Sequence, residues 1–232
     1  PPAGHDRPDL LLPGLATLTF QKRLGSMLDK AARLEQLTAA LAPRLGLSPE
    51  DTATAQRAAH LAKADLATQM VVEMTSLQGI MGRYYAQHDG LADDIAFAIE
   101  DHYKPRFAGD ELPRNDVGVC VALADKLETL VGMFGIGEKP TGDKDPFALR
   151  RHALGVIRML IEKNLPLGLN DLVNIAFAGF PQGLLGQAHT DVYLFVFERL
   201  SGAMREQGYS ANEVDAVLSL NPTQIYLVLK QL

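Results

Sequence analysis

The chain has 232 residues, with 22 Lys/Arg against 28 Asp/Glu; a net charge of −6 argues against a free-standing, strongly basic nucleic-acid-binding domain. Its 47% hydrophobic content is that of a globular protein, yet no apolar run reaches the roughly 18–20 residues that a membrane-spanning helix needs. The single cysteine, Cys120, excludes an internal disulfide framework and fits a reducing, cytoplasmic setting.

Residues 1–18 read as an irregular, Pro/Gly-broken lead-in. PPAGHDRPDL has neither the basic start nor the apolar core of a signal peptide, and without an initiating methionine it reads as the start of a piece of a longer chain. From Thr19 the spacing of Phe20, Leu24, Met27, Leu28, Ala31, Leu34, Leu37 and Leu41 predicts a long amphipathic helix ended by Pro43 and Gly46. Ser48 followed by Pro49 predicts a helix start, and the alanine-rich run through Val71 predicts close helix–helix contact. Further helices are expected over Leu77–Gln87 and Asp93–His102, then a loop over Tyr103–Gly118.

Cys120, Leu123, Leu127, Leu130, Val131 and Phe134 form one apolar stripe over Val119–Phe134, ended by Gly135 and Gly137. Asp125 and Glu128 point away from that stripe, as on a solvated face. GEKPTGDKDPF then has turn chemistry at most positions, and Asp145–Pro146 reads as an N-cap and first helical residue of a helix to Lys163. The loop lacks the G-x-x-x-x-G-K-[ST] spacing of a phosphate-cradling P-loop. Leu169–Phe177, Thr190–Gln207, Asn212–Leu220 and Pro222–Leu232 complete an all-α reading, with a boundary near Pro181–His189.

Among the chemically capable residues, Arg83 beside Tyr84 and Tyr85 joins a guanidinium to two rings, a combination that holds phosphate and stacks on bases. Lys104 and Arg106 flank Pro105, and Lys139, Lys144, Arg150 and Arg151 surround the PTGDKDP turn. These are the candidate RNA contacts. The competing reading packs Tyr84 or Tyr85 inside and pairs Arg150 or Arg151 with Asp143 or Asp145. His60, among alanines, reads as a core residue, while His5, His88, His152 and His189 read as surface positions. No nucleophile–base arrangement is legible, and Cys120 has no basic neighbour to activate it.

Four stretches carry a family resemblance: TFQKRLGSMLDKAARL (19–34), AAHLAKADLATQMVVEMTSLQGIMGRYYA (58–86), EDHYKPRFAGDELP (100–113) and ALADKLETLVGMFGIGEKPTGDKDPFALRRHALGVIRML (122–160). Together they resemble the β subunit of the bacterial heterotetrameric glycyl-tRNA synthetase. The resemblance implies a helical bundle like that of the HD superfamily over 19–180. It also implies the start of a truncated helical anticodon-binding (DALR-like) domain over 190–232. Its implied partners are tRNA(Gly), the α subunit and the remainder of the β subunit, with neither DNA nor membrane. It places ATP and Mg²⁺ at the α subunit, leaving no cofactor and no catalytic residue here.

HD proteins hold a divalent metal through a first His, a His-Asp doublet and later His and Asp positions. Aligned by hand, those positions carry Lys30, Ala62 with Lys63, His102 and Asp125. Two ammonium groups and an alanine do not make a metal site, so this pocket is expected to be vestigial. The readings left open are a glycine–tRNA ligase component that scaffolds and binds tRNA, a metal-dependent HD-type phosphohydrolase, and a purely structural subunit-interaction domain.

Overall fold

The computed structural model describes residues 7–219. The protein is all-α, with one two-stranded antiparallel ribbon among the described residues, near their N-terminal end. The helices are α1 (Pro8–Leu11), α2 (Met27–Leu41), α3 (Pro49–Leu61), α4 (Gln69–Glu73), α5 (Ile80–His88), α6 (Asp93–Asp101), α7 (Asp116–Gly135), α8 (Leu149–Glu162), α9 (Leu169–Ala178), α10 (His189–Glu206) and α11 (Ala211–Leu218). The expected helix over Pro222–Leu232, and its share of the 190–232 segment, lies outside the described residues. Among the described residues no helix is long and apolar enough to cross a membrane.

By compactness the chain forms two units. Of the described residues, the first comprises 7–105 with 109–125 and the second 106–108 with 126–219, so the division falls inside α7.

In the first unit the described part of the lead-in, residues 7–18, is packed onto the body: Leu12 and Leu15 are buried in one apolar cluster with Ala31, Leu61, Ala64, Ala86, Ala96 and Ile99. The helix expected from Thr19 starts at Met27 instead. Residues 19–21 and 25–26 form the ribbon β1–β2, and Gly25 takes φ +89°, a conformation open to glycine at little cost. Ser26 and Asp29 then make a capping box, each side chain bonding the other's backbone N–H. The Ser48–Pro49 start is as the sequence implies, the Ser48 hydroxyl accepting from the Asp51 N–H. The run through Val71 breaks after Leu61, because Asp65 turns inward and Thr68 caps the short α4.

In the second unit α8, α9 and α10 pack together. Phe134 meets Phe195 with ring centroids 5.0 Å apart. Asp145 does cap α8, but from farther out than Pro146 implies. Its carboxylate accepts the N–H groups of Leu149 and Arg150 at 2.8 and 3.0 Å, and Ala148 sits in the left-handed region.

Candidate functional site

Three charges that lie far apart in sequence meet inside the first unit. Lys30 in the second turn of α2, Lys63 just beyond α3 and Asp125 on α7 are all buried, with side chains only 4%, 4% and 5% exposed. Both ammonium groups face Asp125 Oδ1, Lys30 Nζ at 3.5 Å and Lys63 Nζ at 3.2 Å. Each cation also covers a ring, Lys30 over Phe20 at 4.2 Å and Lys63 over Tyr103 at 4.1 Å. Opposite charge and ring faces together offset the cost of taking ammonium groups out of water.

His102 extends the cluster. It is fully buried, its ring lies 3.9 Å from that of Tyr103, and its Nδ1 donates to the Ile99 carbonyl. Ala62, also buried, supplies no donor atom. Asp125 and Glu128 therefore do not lie on a solvated face: α7 is buried along both sides, and Asp125, Lys126, Glu128 and Thr129 are all inaccessible. An apolar stripe marks the side that must be buried, but cannot show that the opposite side is covered as well.

The arrangement does not fit a divalent metal. Among the described residues no three His, Cys, Asp or Glu side chains converge as ligands, and the carboxylate on α7 already lies between two ammonium groups.

Two further carboxylates hold this region: Asp65, two residues past the doublet position, which from sequence could have substituted as a ligand, and Asp101, which the sequence does not mark. Asp65 is buried, and its Oδ2 accepts the N–H groups of Gly79 and Gly82 at 2.7 and 3.0 Å, fixing the start of α5. A Cβ at Gly82 would lie 2.6 Å from Ile99 Cγ2, so the close approach requires glycine. Asp101, fully buried at the end of α6, receives Nε, Nη2 and the backbone N–H of Arg114, each at 2.9 Å, and Lys104 Nζ at 3.2 Å. Burial alone would push the Asp101 carboxyl up; the Arg114 and Lys104 hydrogen bonds outweigh it and hold the group below its ordinary value. Arg114 also covers the Phe97 ring at 4.2 Å. The glycines in QGIMG hint that an acceptor is needed nearby, whereas nothing local in sequence marks Arg114.

The candidate RNA contacts separate into committed and presented cations. Arg83 bonds Glu100 at 2.8 Å, and Lys104 bonds Asp101 and Glu111. Tyr84 is 59% exposed and meets Tyr85 edge-on. Lys139 pairs with Asp191.

The arginines of the turn do not pair with Asp143 or Asp145 through their guanidinium groups. Arg150 Nη2 donates to the Gly142 carbonyl at 2.7 Å, and Arg151 Nη1 donates to the Arg106 carbonyl at 3.1 Å. The second unit thus joins Arg106, forty-five residues away in sequence, to the Lys144–Arg150–Arg151 strip. The start of α8, which a phosphate would otherwise seek, is taken by Asp145.

Of the histidines, His60 is half-exposed and paired with Glu35 at 2.9 Å rather than packed in the core. His88 is exposed, and His189 stacks on Phe177 at 3.8 Å. Cys120 is buried, its thiol donating to the Thr38 carbonyl at 3.7 Å, and burial pushes it up to about 12.

Among the described residues the geometry gives a helical body with an internal ion cluster and arginines whose guanidinium groups rest on backbone carbonyls. Comparison with known proteins gives the class first: the chain falls among the aminoacyl-tRNA synthetase families. More particularly, it belongs to the family described as "Glycyl-tRNA synthetase beta subunit", whose model matches residues 6–219. It is 72% identical over 219 residues to the glycine–tRNA ligase beta subunit of Thiobacillus denitrificans, covering 94% of this chain and 31% of the relative. To the corresponding subunits of Janthinobacterium sp. and Paracidovorax citrulli it is 58% identical in each case, over 94% of this chain and 31% and 30% of theirs. The chain thus spans about a third of the length of these relatives.

Proposed function

We propose that this chain is a non-catalytic part of a cytoplasmic glycine–tRNA ligase β subunit. It supports ATP-dependent glycylation by scaffolding the enzyme and holding tRNA(Gly), while ATP and Mg²⁺ act at the α subunit. Residues 19–180 are an HD-like helical domain and residues from 190 onward begin the anticodon-binding domain. This inherited division is distinct from that of the compact units.

The observation that carries the reading is the pair of lysines on Asp125. At the positions where an HD hydrolase would gather metal ligands, this chain builds a closed internal ion cluster. That disfavours the phosphohydrolase reading and leaves the HD-like body a mechanical role.

The RNA-holding part rests on Lys144, Arg150 and Arg151. The guanidinium groups of Arg150 and Arg151 lean on neutral carbonyls, which orient them without cancelling their charge. Holding the tRNA acceptor end lowers the entropic cost of bringing it to the activated amino acid.

The test is Arg150→Ala with Arg151→Ala in the assembled synthetase. Weaker tRNA(Gly) binding is expected, with the log–log salt slope reduced by roughly one unit per lost phosphate contact. Amino-acid activation without tRNA is expected to be unchanged. Unaltered affinity and slope in a folded enzyme would leave the chain a subunit-interaction domain only.

A further inference from the structure

The second unit also holds a pocket that plays no part in the basic strip. It lies between α9 and α10, has a volume of about 240 Å³, and is lined by Asn170, Val173, Asn174, His189, Thr190 and Tyr193. That is smaller than the usual ~300–1,000 Å³ of sites for drug-sized ligands, which favours a single planar ring system. Asn170 and Asn174 stand four residues apart on α9, so their amides share one face of the helix. Each amide offers a donor beside an acceptor, the pattern that the edge of a nucleobase presents.

The rings of the pocket are set in advance. His189 is stacked on Phe177, with centroids 3.8 Å apart and planes within 19°, and Tyr193 rests against Phe197 at 4.5 Å. Neither supporting ring lines the pocket, so both lining rings are held in place before a ligand arrives, at little further entropic cost. The lining contains no Lys or Arg. Its chemistry therefore suits the uncharged base of a nucleotide rather than its phosphate.

We propose that the α9–α10 pocket takes one unpaired base of a bound RNA strand, with Asn170 and Asn174 on the base edge and the His189–Tyr193 rings against its face. This rests on the RNA-holding role proposed above and assigns it a second, non-ionic contact. Unpaired bases splayed from a folded RNA are the form in which proteins read RNA by stacking and edge contacts.

The experiment uses the assembled synthetase, with tRNA(Gly) transcript as the probe, across a range of salt concentrations. Asn170→Ala with Asn174→Ala removes the edge contacts, and Asn174→Trp fills the pocket. Both positions are exposed, where substitutions usually cost a fold little. Each variant is expected to lose roughly tenfold in affinity, in line with the loss of one stacked, hydrogen-bonded base, with the salt slope unchanged because no counterion release is lost. Wild-type affinity in both variants, alongside a reduced slope for the Arg150/Arg151 variant, overturns the pocket and leaves the basic strip standing. A reduced slope in the pocket variants also overturns it, since that is the mark of a phosphate contact. No response in any variant removes the RNA-holding role itself.

Discussion

The cluster at Asp125 and the strip at Arg150–Arg151 use similar charges to opposite ends. In the first unit two lysines converge on one carboxylate with almost no solvent exposure, and their charge is spent inside the fold. In the second unit two arginines lean on the carbonyls of Gly142 and Arg106, while the nearby Asp145 carboxylate is occupied with backbone N–H groups. A carbonyl orients a cation and leaves its charge in place; a carboxylate neutralises it. The partner decides whether a basic residue acts as a structural lock or as a surface for an anion.

The sharpest way to break this comparison is Asp125→Ala. It removes the carboxylate that two buried ammonium groups share and is expected to destabilise the protein by about 3–5 kcal/mol in urea unfolding. Replacing all three charges together, as Lys30→Met, Lys63→Met and Asp125→Leu, is expected to recover most of that loss, because apolar groups of similar size carry no unpaired charge. A neutral Asp125→Ala would mean that the cluster is not closed.

Next in size is Arg114→Ala, which removes the Nε and Nη2 donors at Asp101 and leaves the backbone N–H and Lys104 Nζ. About 2–3 kcal/mol is expected to be lost at neutral pH, the range for a buried charged acceptor deprived of its partner. The folded Asp101 carboxyl lies below its ordinary 3.8, so its contribution is present above that pH and is lost as pH falls through the lower, folded value. Acid titration of stability should therefore be flatter in Arg114→Ala than in the parent. Equal slopes would remove Asp101 from the acid response.

Cys120 tests the burial of α7 without perturbing it. With its thiol pushed up to about 12 and no solvent access, labelling by a thiol reagent at pH 8 is expected only at the rate of unfolding. Fast labelling in native buffer would contradict a helix covered on both sides. The smallest effect is expected at the strip, where Arg150→Ala with Arg151→Ala should shift stability by no more than about 0.5–1 kcal/mol, as for other surface changes. A larger cost would mark these arginines as a structural lock like the lysines.

Much of the local structure was legible beforehand. Ser48–Pro49 marked a helix start because a hydroxyl cap and a missing N–H both suit that position, and Gly135–Gly137 marked a stop. The ribbon at 19–26 was not legible, because the apolar spacing of Phe20, Leu24 and Met27 suits a helix as well as a turn that folds back. Only the positive φ of Gly25 and the Ser26–Asp29 box separate the two. The lysines at 30 and 63 could be singled out only by resemblance, and their common partner could not be identified by local spacing.

By itself the sequence determined the all-α class, the order of most helices and membership of the glycyl-tRNA synthetase β-subunit family. Those properties rest on periodicity, caps and long runs of matching residues, all of which are local or additive along the chain. The tertiary structure alone decided the fate of the charges: that Lys30, Lys63 and Asp125 share one site, that Asp101 takes Arg114, and that Arg151 takes the Arg106 carbonyl. Coulombic and hydrogen-bond energies depend on distance and on local dielectric. Both are set by how distant segments pack, and neither is written in the spacing of residues along a helix.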